Sequence, residues 1–216
     1  MLLIGRAVGE STLFTFTHEG YNVRGVIHVG ANEGQEMHWY LSHKLLPMVC
    51  FEPHPDAYNR LVEKWSGWSD DVTFVNCALG NEDGELTMRV PEDGDDEKTS
   101  SLIPIPTPGH GWTEVPMADV LRVPVRRFDS WAKESGVYLE AYNALAIDVQ
   151  GMELQVLEGF GDLLQHFEFL AVEVSRVPVY EGEPSADEVI AWLAERGYHQ
   201  ETPVEDHLDV LFRKIA

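Results

Sequence analysis

The residues able to do chemistry fall in a few short stretches. In residues 25–36, GVIHVGANEGQE, an apolar run breaks into a small-residue turn carrying Gly30 and Gly34 and passes directly into a helix-like segment. Glycine there allows a positive φ and lets a bulky ligand approach the backbone. Glu52 ends the next apolar run, roughly 20 residues past Gly30, the separation at which an acid accepts both hydroxyls of a nucleotide ribose. The glycines do not form G-x-G-x-x-G, so by itself this stretch reads equally as a cofactor pocket or a plain tight turn. Glu52 also reads as a surface acid before Pro53. In residues 147–160, IDVQGMELQVLEGF, Asp148, Gln150, Gly151 and Glu153 lie between an apolar strand and a helix. Asp148 can cap that helix, serve as a general base or ligate a metal. Glu173 has the same ambiguity and forms with Asp148 a candidate carboxylate pair. His110, in TPGHGW, can close over a substrate or stay solvated on a loop. His38 and His54 read as helix-surface and turn residues. H-E-x-x-H, G-x-S-x-G and phosphate-loop motifs are absent, which leaves zinc-protease, serine-hydrolase and P-loop readings without support.

These residues need a scaffold, and apolar runs alternating with segments of helical period supply one: an α/β fold on a mostly parallel sheet. Strands are predicted near Val26 to Val29, Met48 to Phe51, Val72 to Val75, Ala144 to Val149 and Phe169 to Val174, with GELTMRV and RVPVRRF as extra extended pieces and DVLFRKI closing the chain. Met37, Tyr40, Leu41 and Leu45 make one helical stripe, ended by Pro47, and Tyr58, Leu61, Val62 and Trp65 another. Asp129 or Ser130 can cap a short helix ending near Gly136, and Ser185 with Glu188 has capping-box spacing. In an open parallel sheet ligands collect beyond the carboxyl ends of the strands. His28 to Gly34, Glu52, Asn76 to Leu79, Asp148 to Glu153 and Glu173 all fall there.

At 216 residues and 44% hydrophobic the chain reads as a single domain, residues 1–216, with a Pro-, Gly- and acid-rich insertion or lid at about 91–116. The balance of 15 Lys plus Arg against 37 Asp plus Glu gives a formal charge of −22, which argues against nucleic acid or an anionic membrane as partner. Cys50 and Cys77 sit in apolar stretches and read as buried reduced thiols rather than a disulfide or zinc site. The amino-terminal stretch has no basic region before its short apolar run, so a cytoplasmic protein is expected. Nothing in the sequence sets an oligomeric state. Glu52 would equally serve an NAD-type oxidoreductase, although the missing glycine motif and second substrate domain count against it. A non-catalytic binding module on the same fold is a further alternative.

Taken together, VIHVGANEGQE, FEPHP, VNCALGNEDGEL, TSSL, RRFDSW, IDVQGMELQVLEGF and FLAVEVS resemble, in order and over about residues 25–175, the FkbM family of S-adenosylmethionine-dependent methyltransferases. The resemblance implies a class I methyltransferase (Rossmann-like) fold, with a seven-stranded mostly parallel sheet, helices on both faces and an antiparallel last strand. It implies S-adenosyl-L-methionine as cofactor, held by His28, Gly30, Ala31, Asn32, Gly34 and Gln35 near its methionine and ribose, Glu52 on the ribose hydroxyls, and Asn76 and Ala78 near the adenine. Asp148 and Gln150 would face the transferable methyl. Many members carry Asp where this chain has His28, an acid that helps orient the cofactor's charged amine; a protonated histidine suits that task less. The family's activity implies O-methylation of a hydroxyl on a sugar, glycan or natural-product acceptor. Candidate bases, in order, are Asp148, His110 and Glu173. A carboxylate-held divalent metal is the less favoured alternative.

Overall fold

The computed structural model describes residues 20–91, 117–176, 182–204 and 208–215. The elements run β1 (Val26–Val29), α1 (Met37–Ser42), β2 (Met48–Phe51), α2 (Pro55–Trp65), β3 (Val72–Val75), β4 (Ala78–Leu79), β5 (Gly84–Pro91), β6 (Met117–Arg126) and α3 (Phe128–Ser135). They continue with β7 (Ala144–Ile147), α4 (Glu153–Gly159), β8 (Phe169–Val174), α5 (Ala186–Ala194), β9 (Tyr198–Gln200) and β10 (Leu208–Lys214). Seven strands form one sheet in the order β3-β2-β1-β7-β8-β10-β9. Neighbours are parallel except that β10 runs antiparallel to both β8 and β9. This is the expected class I architecture with its reversed last strand.

The sheet is covered on both faces, which is why its central strands are almost wholly apolar, His28 in β1 and Glu173 in β8 being the polar members. Alternate residues of each strand enter opposite cores. Ile27, Phe51, Leu145, Ile147 and Val172 pack with Phe128, Val156, Leu157 and Val189 from α3, α4 and α5. Val26, Met48, Cys50, Ala144 and Ala171 pack on the other side with Met37, Tyr40, Leu61 and Trp65 from α1 and α2. Cys50 and Cys77 are free and buried, and burial pushes their thiols up, to about 12 and about 11.

A second sheet, in the order β4-β6-β5, stands beside the first. Its β4 is too short to leave a periodic pattern, and β6 begins well before RVPVRRF. Residues 92–116, which connect β5 to β6 and hold His110 and nearly all of the expected insertion, lie outside the described residues.

Helix ends depart from expectation in three places. The first stripe runs past its helix: α1 stops at Ser42, Lys44 turns with a positive φ of 57°, and Leu45 is buried from the loop that follows. Neither Asp129 nor Ser130 caps α3; Arg127 is the N-cap and Asp129, in the first turn, accepts from its guanidinium at 2.9 and 2.5 Å. Asp148 does not cap α4, whose N-cap is Met152 with no side-chain bond. The capping box of Ser185 and Glu188 is formed as expected.

Candidate active site

β1 lies between β2 and β7, and the chain leaves β1 toward one edge of the sheet and β7 toward the other. A crevice must open where strand order reverses, at the carboxyl ends of these strands. A cavity of about 310 Å³ occupies that place, at the small end of the usual range for ligand sites. Its wall carries the polar side chains of His28, Asn32, Gln35, Glu52, Asp148 and Gln150 and the apolar groups of Cys77, Ala78, Leu79, Met88 and Met152. Met88 comes from β5, so the small sheet supplies part of that wall.

Glu52 is 5% exposed and sits at the end of β2. Its Oε2 accepts the Asn32 N–H at 2.8 Å and its Oε1 accepts the His54 N–H at 2.7 Å. Burial pushes the carboxyl up to about 7, against the pull of those two hydrogen bonds. Each oxygen has a further lone pair with which to meet a ligand. His54 is structural: its Nδ1 accepts from the Asp56 and Ala57 N–H groups and caps α2, which puts any ring proton on Nε2.

The turn after β1 is held by main chain. The Gly30 and Ala31 N–H groups both donate to the Phe51 carbonyl at 3.0 Å. Gly30 has φ 86°, and a Cβ there would lie 1.7 Å from the Asp148 carbonyl oxygen. Its glycine is therefore required by the neighbouring strand's chain as well as by the turn. Gly34 is likewise closed in by Met37, Leu61 and Trp65. Gly30 reaches the cavity wall, whereas Gly34 and Ala31 support the turn from behind. Asn76 is also a support: its Nδ2 donates to the carbonyls of Glu52 and Pro53 at 2.8 and 3.2 Å.

The turn after β7 is held by side chains. Gln150, with φ 57°, donates through Nε2 to Asp148 Oδ1 at 2.7 Å and to Glu173 Oε2 at 3.0 Å. Burial, then the charge of Asp148 and a hydrogen bond shared with it, holds the Glu173 carboxyl far above the ordinary carboxylate range, so it keeps its proton at neutral pH. Glu173 thus stands behind Asp148 and Gln150, which are the pair on the cavity wall. His28, 5% exposed and edge-on to Tyr40 at 5.6 Å, has its pKa lowered by burial against the opposing charges of Asp148 and Asp209. Burial therefore favours the neutral ring over the protonated one.

Sequence reasoning gave no role to Glu36 and Met88 on the wall, and it placed Met152 and Glu153 at a strand end without assigning either a part in the site. Met88 lies in a strand of the second sheet, and no local pattern says where that sheet packs. Among the described residues no three or more His, Cys, Asp or Glu side chains converge as a metal-binding group, and no helix is long and apolar enough to cross a membrane.

An S-adenosyl cofactor fits this lining. Glu52 has lone pairs that hydroxyl donors can reach, the acids Glu36 and Asp148 suit a positively charged ligand, and the apolar residues of the lining suit a flat base.

The methyltransferase FkbM domain model matches residues 28–199. The 2-O-methyltransferase NoeI of Sinorhizobium fredii is 29% identical over 165 residues, covering 73% of this chain and 66% of NoeI. The hexuronic acid methyltransferase AglP of Haloferax volcanii is 26% identical over 146 residues, covering 68% of this chain and 54% of AglP. Among solved structures, the magnesium protoporphyrin IX methyltransferase ChlM of Synechocystis PCC 6803, with bound SAM, superposes with a TM-score of 0.50 at 9% identity, covering 94% of this chain and 76% of that one. Sp1610 of Streptococcus pneumoniae gives the same score at 10% identity, with 94% and 70% covered. These two likenesses establish the fold alone, whereas the match over residues 28–199 establishes more: the chain belongs to the FkbM methyltransferase domain family.

Proposed function

We propose that this chain transfers the methyl group of S-adenosylmethionine to a hydroxyl of a sugar or sugar-like acceptor. The observation that carries the proposal is the cavity at the switch point, with Glu52 on one strand end and the Asp148–Gln150 pair on another. Family membership supports the chemistry, and the names of NoeI and AglP support hydroxyl-bearing carbohydrate as the acceptor class.

When bound, S-adenosylmethionine supplies an electrophilic sulfonium methyl that an oxygen attacks in line, leaving a neutral thioether. Glu52 would hold the ribose hydroxyls, and its backbone donors Asn32 and His54 fix the carboxylate before the ligand arrives. Neutral His28 and the Asn32 and Gln35 amides would line the methionine end, and Ala78, Leu79 and Met88 the base. Asp148 would take the acceptor's hydroxyl proton, a contribution of roughly 10²- to 10⁴-fold. Gln150 holds that carboxylate in place and ties it to Glu173 behind it. Holding acceptor and donor in near-attack geometry supplies the larger share, up to about 7–11 kcal/mol.

Calorimetric titration of the purified protein with S-adenosylmethionine, S-adenosylhomocysteine and NAD, with and without magnesium, tests the proposal. Micromolar binding of the two adenosyl ligands and none of NAD is expected, followed by transfer of labelled methyl to hydroxylated sugars. Binding of NAD alone, or of no ligand, would overturn it.

A further inference from the structure

The loop from Asp148 to Met152 carries both cavity-facing groups, yet its own sequence gives it little to hold it. Gln150 has φ 57° and Gly151 φ 102°, a left-handed excursion that a glutamine does not adopt without support. The support comes from Glu153, the first residue of α4, which is 4% exposed. Its Oε1 accepts the Gly151 N–H at 3.0 Å and the Val149 N–H at 3.3 Å. These two amides flank Gln150, so one oxygen bridges both sides of the strained residue. Leaving the buried Gly151 amide without an acceptor is costly, and the half-buried Val149 amide adds to that cost.

We infer that Glu153 is a positioning residue: its Oε1 locks the loop that presents Asp148 and Gln150 to the cavity. What the loop then serves rests on the methyl-transfer reading above; the lock itself does not. Glu153 need not be charged for this, because a carboxylic acid or an amide offers the same oxygen. Burial pushes its carboxyl up to about 7, with Asp148 and Glu183 facing it as further negative charges, and either protonation state can hold the two amides. The residue therefore acts through its acceptor atom, and two isosteric variants separate that atom from bulk and from charge.

Glu153→Met keeps the length and burial of the side chain and removes the acceptor; Glu153→Gln restores the acceptor without the charge. Hydrogen exchange of residues 148–152 reads the lock directly, and titration with S-adenosylhomocysteine reads its consequence. Glu153→Met should exchange the Val149 and Gly151 amides at least about tenfold faster and weaken S-adenosylhomocysteine about tenfold, while Glu153→Gln stays within about threefold of the parent on both. Val156→Ala, one turn further along the same helix in the core, should lower the melting temperature and leave both readouts alone. Unchanged exchange in Glu153→Met, or a Glu153→Gln variant that behaves like it, overturns the lock. Faster exchange with unchanged affinity overturns the positioning of the ligand-facing groups. If the parent binds no adenosyl ligand, the functional reading fails and the exchange comparison alone decides the lock.

Discussion

The two turns that meet at the switch point draw on main chain and side chain in different proportions. After β1, the chain bends on Gly30, Asn32 and Gly34 and is tied by amides to the Phe51 carbonyl, with one further tie from the Asn32 amide to the Glu52 carboxyl. After β7, it bends on Gln150 and Gly151 and is tied by the carboxyls of Glu153 and Glu173. A turn held by main chain is as rigid as the sheet it grows from. A turn held by titratable side chains can be tuned, and its stability answers to pH. The first suits a cofactor cradle that must be formed in advance; the second suits the groups that meet a reacting atom.

The contrast is easiest to break at Gly30. Gly30→Ala should cost about 4 kcal/mol or more, the exceptional end for one substitution, because the new Cβ would meet the Asp148 carbonyl oxygen at 1.7 Å in a left-handed backbone. Urea denaturation measures this, and a midpoint near the parent's would show that the first turn yields as readily as the second. The next largest effect belongs to the second turn and to chemistry rather than folding. Asp148→Asn should lower methyl transfer to a confirmed sugar acceptor by roughly 10²- to 10⁴-fold while leaving the melting temperature within a few degrees. Unaltered turnover with intact cofactor affinity would remove Asp148 from its role.

How far each turn could be read in the sequence follows the same division. The strands β1, β2 and β7 were legible because burial on both faces demands continuous apolar runs, and Glu52 because strand-end acids recur at a set distance from the first turn. The glycines were legible as a turn, but the reason for Gly30 was not. It depends on the carbonyl of Asp148, and nothing local says that β7 lies beside β1. Asp148 read equally well as a helix cap, a base and a ligand, because its alternatives differ only in where α4 begins. Glu153 was singled out in the same stretch without a role; that its side chain reaches back to two amides is a property of the folded loop. Asn76 was placed near the adenine by resemblance; that its side chain braces the Glu52 and Pro53 carbonyls was not legible, because those partners lie on another strand end.

The acids that hold the second turn and the cradle give a pH signature of smaller size. Glu52 and Glu153 are each pushed up to about 7 by burial, above the roughly 4.3 of an unfolded chain. Between those values the folded protein binds more protons than the unfolded one, so stability is full below the unfolded value and is lost as pH rises through about 7. Glu153→Gln removes that loss at one site. Its urea midpoint should rise relative to the parent's between pH 5 and pH 8, by about 2 kcal/mol of stability. A difference that stays flat with pH would mean that the two amides already hold the carboxylate charged without cost. The same titration of Glu52 should weaken S-adenosylhomocysteine binding below about pH 7, since a protonated carboxyl accepts ribose hydroxyls less well.

The smallest effect is expected where the first turn does carry a charged side chain. Glu33 pairs with Arg60 at 2.7 Å, but the two side chains are 41% and 42% exposed. An ion pair in that setting gains little over its solvated partners and is screened by salt, so Glu33→Ala should change stability by no more than about 0.5 kcal/mol. The backbone of Glu33 is another matter: its N–H donates to Asn32 Oδ1 at 2.7 Å and its carbonyl accepts the Trp65 Nε1–H at 3.0 Å, and alanine keeps both. A loss of 2 kcal/mol or more in Glu33→Ala would therefore add an exposed ion pair to the supports of the first turn and narrow its difference from the second. A change within 0.5 kcal/mol, insensitive to added salt, would leave the cradle resting on its main chain and on the buried Glu52 carboxyl rather than on exposed charge.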